Sequence, residues 1–506
     1  MNIYDLPSRC LNQKHQPRRA KLLVGLGRKR VQEKEILGGK YRVLSGKDVE
    51  RIHNASLQTL EKTGIEVNSR TAFQIFKEKG ARVDSSKRRV KIPRAMVDDA
   101  IDKAPSRVVL YGREEKHALI LENKRVYMGT GGTAINILDL KTGERRASIL
   151  EDVEKIARLV DALENIHFYV LPVYPNELSR EKVDVNRFYA GLSNTTKHVM
   201  GGPYTRQGAL NVIEMAEEIV GGKEMLREKP IISFIILIIS PLKIDDTYGE
   251  MLIEIAQKGI PLAIPSEPQC GTTAPVTLAG NLVLFGAETL AGVTLAQLVN
   301  PGTPVLCGYV GTTADMRTLD YVSGATEMGL LNAAAAQLAH YWQLPFYATG
   351  GMSDSKIPDV QSGYEKALNL LPVALAGANF IHDAAGLIEF ALTVAYEQYV
   401  IDNEIIGMVM RALRGIEINE DTLALEVIDR VGPGGNFLAE SHTVSHMRSE
   451  FFFPKVSDRS NREKWLAEGG KDARQRAREI AINILATHKP LAIPCDIQAK
   501  IKPRKL

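Results

Sequence analysis

The sequence predicts a (β/α)8 (TIM) barrel with an N-terminal α+β cap and a helical C-terminal extension. Three observations carry that expectation. A strand-then-helix pattern returns eight times from residue 125 onward, its returns lie roughly thirty residues apart, and the texture changes on either side of the repeating region. A doubly wound sheet is the alternative that the same alternation allows.

The eight runs are β-rich and end in Gly, Pro, Ser or Thr. In order they are "RVYMGTGGT" (125–133), "IHFYVLPVY" (166–174), "KHVMGGPY" (197–204), "IISFIILIIS" (231–240), "IPLAIPSEP" (260–268), "PVLCGYVGTT" (304–313), "PFYATGGMS" (345–353) and "ANFIHDAAG" (378–386). Helical stretches such as "TRQGALNVIEMAEEIVGG" and "TYGEMLIEIAQKG" separate them. Before the repeats, residues 41–120 read as the cap, opened by an amphipathic helix with Ser45 at its N-cap. The barrel is expected over 121–390 and the helical extension over 391–506. Residues 1–40 form a basic arm, densest in "SRCLNQKHQPRRAKLLVGLGRKR" (8–30), which reads either as a solvated tail or as a contact for an acidic partner or subunit.

Bulk properties narrow the function. Hydrophobic residues make up 44% and charged residues 25% of the 506, and the net charge of +4 is too weak for a dedicated nucleic-acid binder. The four cysteines, Cys10, Cys270, Cys307 and Cys495, show no C-x-x-C spacing and so signal neither a disulfide scaffold nor a cysteine metal site. "KLLVGLG" is too short and too closely flanked by charge for a signal peptide, and "IISFIILIISPL" falls short of the roughly 20 residues of a membrane span. A cytoplasmic protein without membrane contact is expected. Three consecutive helices, "TLAGNLVLFGAETLAGVTLAQLV", "GLLNAAAAQLAHYW" and "ALNLLPVALAG", lack a polar face. They need cover, from the C-terminal extension or from a second subunit, and a homo-oligomer is expected.

Barrel chemistry sits at the C-terminal strand ends. Those ends offer Thr130 to Thr133, Tyr174, Tyr204, Ser240, Glu267 with Gln269, Tyr309 with Thr312, Met352 with Asp354, and His382 with Asp383. Strand alternation puts Ala263, Pro265 and Glu267 inward on the fifth strand, and Cys307 and Tyr309 inward on the sixth. No H-x-H, no carboxylate pair at ligand spacing and no strand-end lysine occurs, so metal hydrolysis and Schiff-base chemistry lack their residues. No phosphate-binding glycine motif follows a strand. Tyrosines and one acid remain. Tyr174, Tyr204 and Tyr309 with Glu267 suit a quaternary ammonium, which donates no hydrogen bonds and is held by aromatic faces and negative charge. Each tyrosine also reads, and more readily, as a packed residue with a satisfied hydroxyl, Glu267 as a salt-bridge partner, and His382 as a satisfied strand-end histidine.

One segment carries more than patterning. "YATGGMSDSKIPDVQSGYEK", followed by "LLPVALAGAN" and "EQYVIDNEI", resembles the trimethylamine methyltransferase family; "APSRVVLYGRE", "TKHV", "SPL", "LAGNLV" and "VGPGGNFLA" fall in the same order, over roughly residues 40 to 490. The resemblance implies a (β/α)8 barrel that passes a methyl group from a methylated amine to the cobalt of a corrinoid (cobalamin) carried by a separate partner protein, with none bound covalently. The trimethylamine enzymes carry pyrrolysine at a position that aligns with Met352, and a thioether is no electrophile. The chain therefore looks most similar to the branch without pyrrolysine, which includes glycine betaine methyltransferases. A substrate already quaternary leaves as a neutral amine, so no general acid or base is expected. On this reading Met352 shapes the pocket floor, Tyr309 and Phe346 set its size with it, and the tyrosines cradle the ammonium. A substrate carboxylate would meet the N–H groups of Gly350 and Gly351 or the side chain of His382. Asp354, Lys356 and Gln361 match the family motif, either as contacts or as an internally bonded loop. Two other readings stay open: a lyase or isomerase using Glu267 and His382 as acid and base, and a non-catalytic binder of quaternary amines.

Overall fold

The structure, a computed structural model, describes residues 36–503; the basic stretch 8–30 lies outside them. Eight parallel strands form the central sheet: β1 (Tyr127–Thr130), β2 (Tyr169–Val170), β3 (Val199–Gly201), β4 (Ile232–Ile235), β5 (Leu262–Ser266), β6 (Val305–Tyr309), β7 (Phe346–Thr349) and β8 (Phe380–Ala385). β8 pairs with β1, and the ring closes where His167 N donates to Met128 O at 2.8 Å and Thr130 Oγ1 donates to Val170 O at 2.7 Å. A helix follows each strand: α1 (Leu150–Ala162), α2 (Arg180–Asn194), α3 (Arg206–Val220), α4 (Asp246–Lys258), α5 (Leu278–Val299), α6 (Thr326–Tyr341), α7 (Val360–Ala376) and α8 (Tyr396–Arg414).

The barrel interior is a packed core. Phe168 stacks on Phe380 with centroids 3.5 Å apart, and Tyr347 stacks on Phe380 at 5.6 Å. Val170, Met200, Ala263 and Leu306 complete the cluster. Its lower end is plugged by the antiparallel hairpin of Val108–Leu110 and Leu119–Leu121, whose leucines join the same apolar cluster. With that end filled, a ligand enters from the C-terminal end of the strands.

The cap begins as its sequence suggests. Helix Gly46–Gln58 is capped by Ser45, whose Oγ accepts from Asp48 N at 3.2 Å. That helix and Arg94–Lys103 lie on α5. Ser56 Oγ donates to Val283 O at 2.9 Å, and Trp342 Nε1 donates to His53 Nδ1 at 3.0 Å. α5 is long and apolar enough to cross a membrane by length and composition, yet 83% of its apolar window is buried in the fold. The cover expected from the C-terminal extension or another subunit is, for α5, supplied by the N-terminal cap. The extension lies elsewhere: helix Ala473–Thr487 packs on α8 and α1, with Arg474 Nε 3.1 Å from Glu397 Oε1. α7 keeps Val360, Tyr364 and Leu368 exposed along one stripe.

The interior stack makes the barrel sensitive at its narrowest contact. Phe168→Ala should lower the free energy of unfolding by about 3–5 kcal/mol, and Phe168→Leu by clearly less, because the neighbours cannot close the void. Denaturant titration of both variants measures this.

Candidate active site

The turn after β7 is built by residues that leave it no freedom. Gly351 has a φ of +83°, and a Cβ there would sit 2.8 Å from Ala384 Cα, so only glycine fits. Asn369 of α7 brackets the turn: its Oδ1 accepts from Gly351 N at 2.5 Å and its Nδ2 donates to Met352 O at 2.9 Å. Lys366 Nζ donates to Gly351 O at 2.6 Å and pairs with Asp402 Oδ2 at 3.1 Å, both side chains being fully buried. Met352 is buried among apolar neighbours. The apolar strand thus ends in a polar loop because α7 supplies partners for each turn group, while the thioether itself stays among apolar side chains.

The following loop is bonded within itself. Ser353 Oγ and Asp354 N donate to Glu365 Oε2, and Asp354 Oδ1 accepts from Ser323 N and Oγ at 2.7 and 2.6 Å. Burial raises the Asp354 carboxyl above its ordinary range. Lys356 Nζ donates to Asp354 O and lies 4.2 Å over the Phe390 ring; Gln361 Nε2 donates to Glu365 Oε1. These three motif residues hold the loop in shape and tie it to the segment after β6.

Glu267, two residues after the β5 proline, carries the site's electrostatics. Its side chain is accessible to solvent yet crowded by protein atoms, as a group in a concave part of the surface is. Desolvation there, and then the negative charge of Asp383, push its carboxyl up to about 7. Asp383 is buried with a φ of +62°. It fits because residue 131 is glycine: a Cβ there would meet Asp383 Oδ1 at 1.5 Å. His382 stacks on Tyr347 at 4.1 Å and its Nε2 shares a 2.7 Å hydrogen bond with Thr349 Oγ1. Its Nδ1 lies 2.9 Å from Asp383 Oδ1, off the hydrogen-bond direction.

Tyr321 and Tyr347 lie close to both acids, and Tyr248 close to Glu267. Tyr321 lies on the short strand Tyr321–Val322, paired antiparallel to Thr312–Ala314. Its phenol is pushed well above its usual range, by burial first and then by Glu267 and Asp383, so it stays neutral. Tyr248, in the first turn of α4, is raised by burial and then by Tyr204, Asp245 and others, Glu267 among them. Tyr174 and Tyr204 meet edge to face at 5.3 Å. Tyr204 already has a cation beside it: the buried Arg187 guanidinium lies 5.4 Å over its ring and donates to Thr133 Oγ1 and Leu171 O.

Three expectations need correction. Tyr309 faces the helices: its hydroxyl donates to Asn281 Oδ1 at 2.6 Å and its ring packs on Phe285 at 4.8 Å. Phe346 faces the same way, 6.3 Å from Phe285, so Tyr347 is the inward residue of β7. Both faces of a barrel strand are apolar, and alternation alone gave β6 the wrong phase. β5 was phased correctly, with Ala263 in the interior and Leu262 and Ile264 against the helices. The Gly350 and Gly351 N–H groups are also taken: Gly350 N donates to His382 O and Gly351 N to Asn369 Oδ1. Tyr248, Tyr321 and Arg187 escaped notice because they come from helices and a flanking hairpin rather than from strand ends.

Comparison with known proteins agrees with this architecture. Residues 14–503 match the family model described as trimethylamine methyltransferase (MTTB). The chain is 41% identical over 458 residues to the trimethylamine methyltransferase MttB of Desulfitobacterium hafniense, covering 90% of this chain and 92% of the relative. It is 34% identical over 464 residues to a glycine betaine methyltransferase of the same species, covering 92% and 96%. The solved monomethylamine methyltransferase of Methanosarcina barkeri superposes with a TM-score of 0.53 at 14% identity, over 90% of this chain and 89% of that one, a likeness of fold.

The raised Glu267 carboxyl gives cation binding a pH dependence of fixed sign. Below about 7 the group is protonated and neutral; above it the site gains a negative charge. Affinity for tetramethylammonium should therefore rise several-fold as pH rises through about 7, and Glu267→Gln should flatten the profile. Calorimetric titration across that range measures both, and a flat profile in the unaltered protein would refute the assignment.

Proposed function

The chain belongs to the trimethylamine methyltransferase family, and from that membership we propose that it moves a methyl group from a quaternary amine, glycine betaine foremost, to Co(I) of a corrinoid held by a separate protein. The observation that carries this reading is the acidic pair Glu267 and Asp383 with neutral Tyr321 beside it, where Glu267 is accessible to solvent. A fixed positive charge without N–H donors is held there by carboxylate charge and ring faces. Openness matters too, because the methyl must reach an acceptor carried by another protein.

The charge pattern favours a zwitterion. Besides Glu267 and Asp383 the strand ends carry guanidinium groups: Arg187 lies over Tyr204, near the Asp184 carboxylate, and Arg180 donates to Tyr204 O at 3.1 Å. Arg187 Nε is buried with no protein partner. An ammonium is drawn toward Glu267 and Asp383, and a carboxylate toward a guanidinium. A betaine carries both groups, whereas choline and trimethylamine lack the anion.

The chemistry asks little of the side chains beyond orientation. The C–N bond breaks with both electrons staying on nitrogen, and the amine leaves neutral, so no proton is needed. A Co(I) corrinoid supplies the nucleophilic electron pair. Met352 is buried and its thioether is no electrophile, which suits a substrate that is quaternary from the start. A second reading is favoured by one fact: a Glu267 carboxyl near 7 is able to keep a bound tertiary amine protonated.

The test mixes the protein with a reduced corrinoid protein and one amine at a time, following the absorbance change as Co(I) is methylated. Glycine betaine or another carboxylate-bearing quaternary amine should react while trimethylamine does not; turnover of trimethylamine would overturn the reading. Within that assay Tyr321→Phe should keep most of the substrate affinity. Tyr321→Leu should weaken it by about 1–2 kcal/mol, roughly ten-fold, because the ring face is lost.

A further inference from the structure

Among the described residues, one cluster of metal-ligand side chains lies outside the barrel mouth: Asp421, His442 and His446. His442 and His446 stand four apart on helix Ser441–Glu450 and therefore share a face, with ring centroids 4.3 Å apart. Asp421 sits on the separate short helix Glu420–Leu423 and meets both. Its Oδ2 lies 3.0 Å from His446 Nε2, and its carbonyl oxygen lies 3.0 Å from His442 Nε2. One donor atom from each residue can be chosen so that all lie within 4.8 Å of one another. Two ligands of a tetrahedral zinc, each about 2 Å from the metal, stand about 3.3 Å apart, so small side-chain rotations close the site.

A second observation concerns what holds this region together. None of the helices Glu420–Leu423, Leu425–Val431 and Ser441–Glu450 has a buried residue. Leu425, Leu438 and Val444 are 65%, 82% and 65% exposed, so the segment has almost no core of its own. Its visible links are surface contacts, such as Arg430 to Glu440 at 2.6 Å and Thr443 Oγ1 to Phe437 O at 2.7 Å. An exposed ion pair of that kind contributes about 0–1 kcal/mol. A metal bridging Asp421 to the two histidines would close the stretch 422–441 into a loop, which removes chain entropy that the surface contacts do not.

We propose that Asp421, His442 and His446 bind a zinc-class divalent ion that staples helix Ser441–Glu450 to helix Glu420–Leu423. Two imidazoles and one carboxylate select zinc over magnesium or calcium, which prefer all-oxygen sites. The three protein ligands leave one position for water. The site belongs to the C-terminal extension and takes no part in holding the amine, so it stands independently of the proposed reaction.

The test uses the full-length protein without a histidine tag, stripped by a chelator and dialysed against micromolar zinc. Wild type should retain about one zinc per chain in the presence of excess magnesium, and His442→Ala/His446→Ala should lose it. Limited proteolysis should cut within 422–441 several-fold more slowly with zinc in wild type, and at an unchanged rate in the double variant. Both histidines are half-buried and outside the core, and circular dichroism verifies that the variant folds. No retained zinc, or equal retention in the variant, overturns the site; zinc bound without any change in cleavage overturns the staple.

Discussion

Among the described residues, one fully buried ion pair ties together the C-terminal ends of two barrel strands. Lys366 and Asp402 are both fully buried, 3.1 Å apart, on adjacent helices α7 and α8. Lys366 also donates to Gly351 O, and Asp402 accepts from Gly386 N at 2.7 Å. The pair therefore ties the end of β7 to the end of β8 through the helices behind them. Removing one partner leaves an uncompensated charge in the core, at a cost of about 3–5 kcal/mol. Met352 owes its place to this clamp, and so does the segment that carries Asp383 past Gly131.

From that clamp the electrostatics of the mouth follow. Asp383 is buried and close to Glu267, so a carboxyl already disfavoured by desolvation is pushed further toward its neutral form. Neutral Tyr321 lies close to both acids, and Arg187 lies over the Tyr204 ring beside Asp184. The lower end is closed by the hairpin of Val108–Leu110 and Leu119–Leu121.

Much of this was legible in the residues before the structure. Eight strand-like runs separated by helices read directly as a barrel because each run ends in turn-forming residues at a βα spacing. Glu267 is legible as inward because Leu262 and Ile264 suit the helix side of β5, where the structure has them, which turns Ala263, Pro265 and Glu267 the other way. Tyr309 and Phe346 were misplaced because β6 and β7 are apolar on both sides, so no periodicity distinguishes core from helix layer. Tyr248, Tyr321 and Arg187 reach the mouth from α4, a hairpin and α2, and no local pattern announces a contact made across so much chain. The backbone donors of Gly350 and Gly351 looked available only because Asn369, eighteen residues on, gives no sign in sequence that it reaches back.

The most direct test of the whole account is the rate of a single methyl transfer from glycine betaine to a reduced corrinoid protein in ordinary and in heavy water. A fixed cation that leaves as a neutral amine has no proton in flight, so the two rates should agree. A several-fold slower transfer in heavy water would contradict the account, because a proton would then be moving in the step.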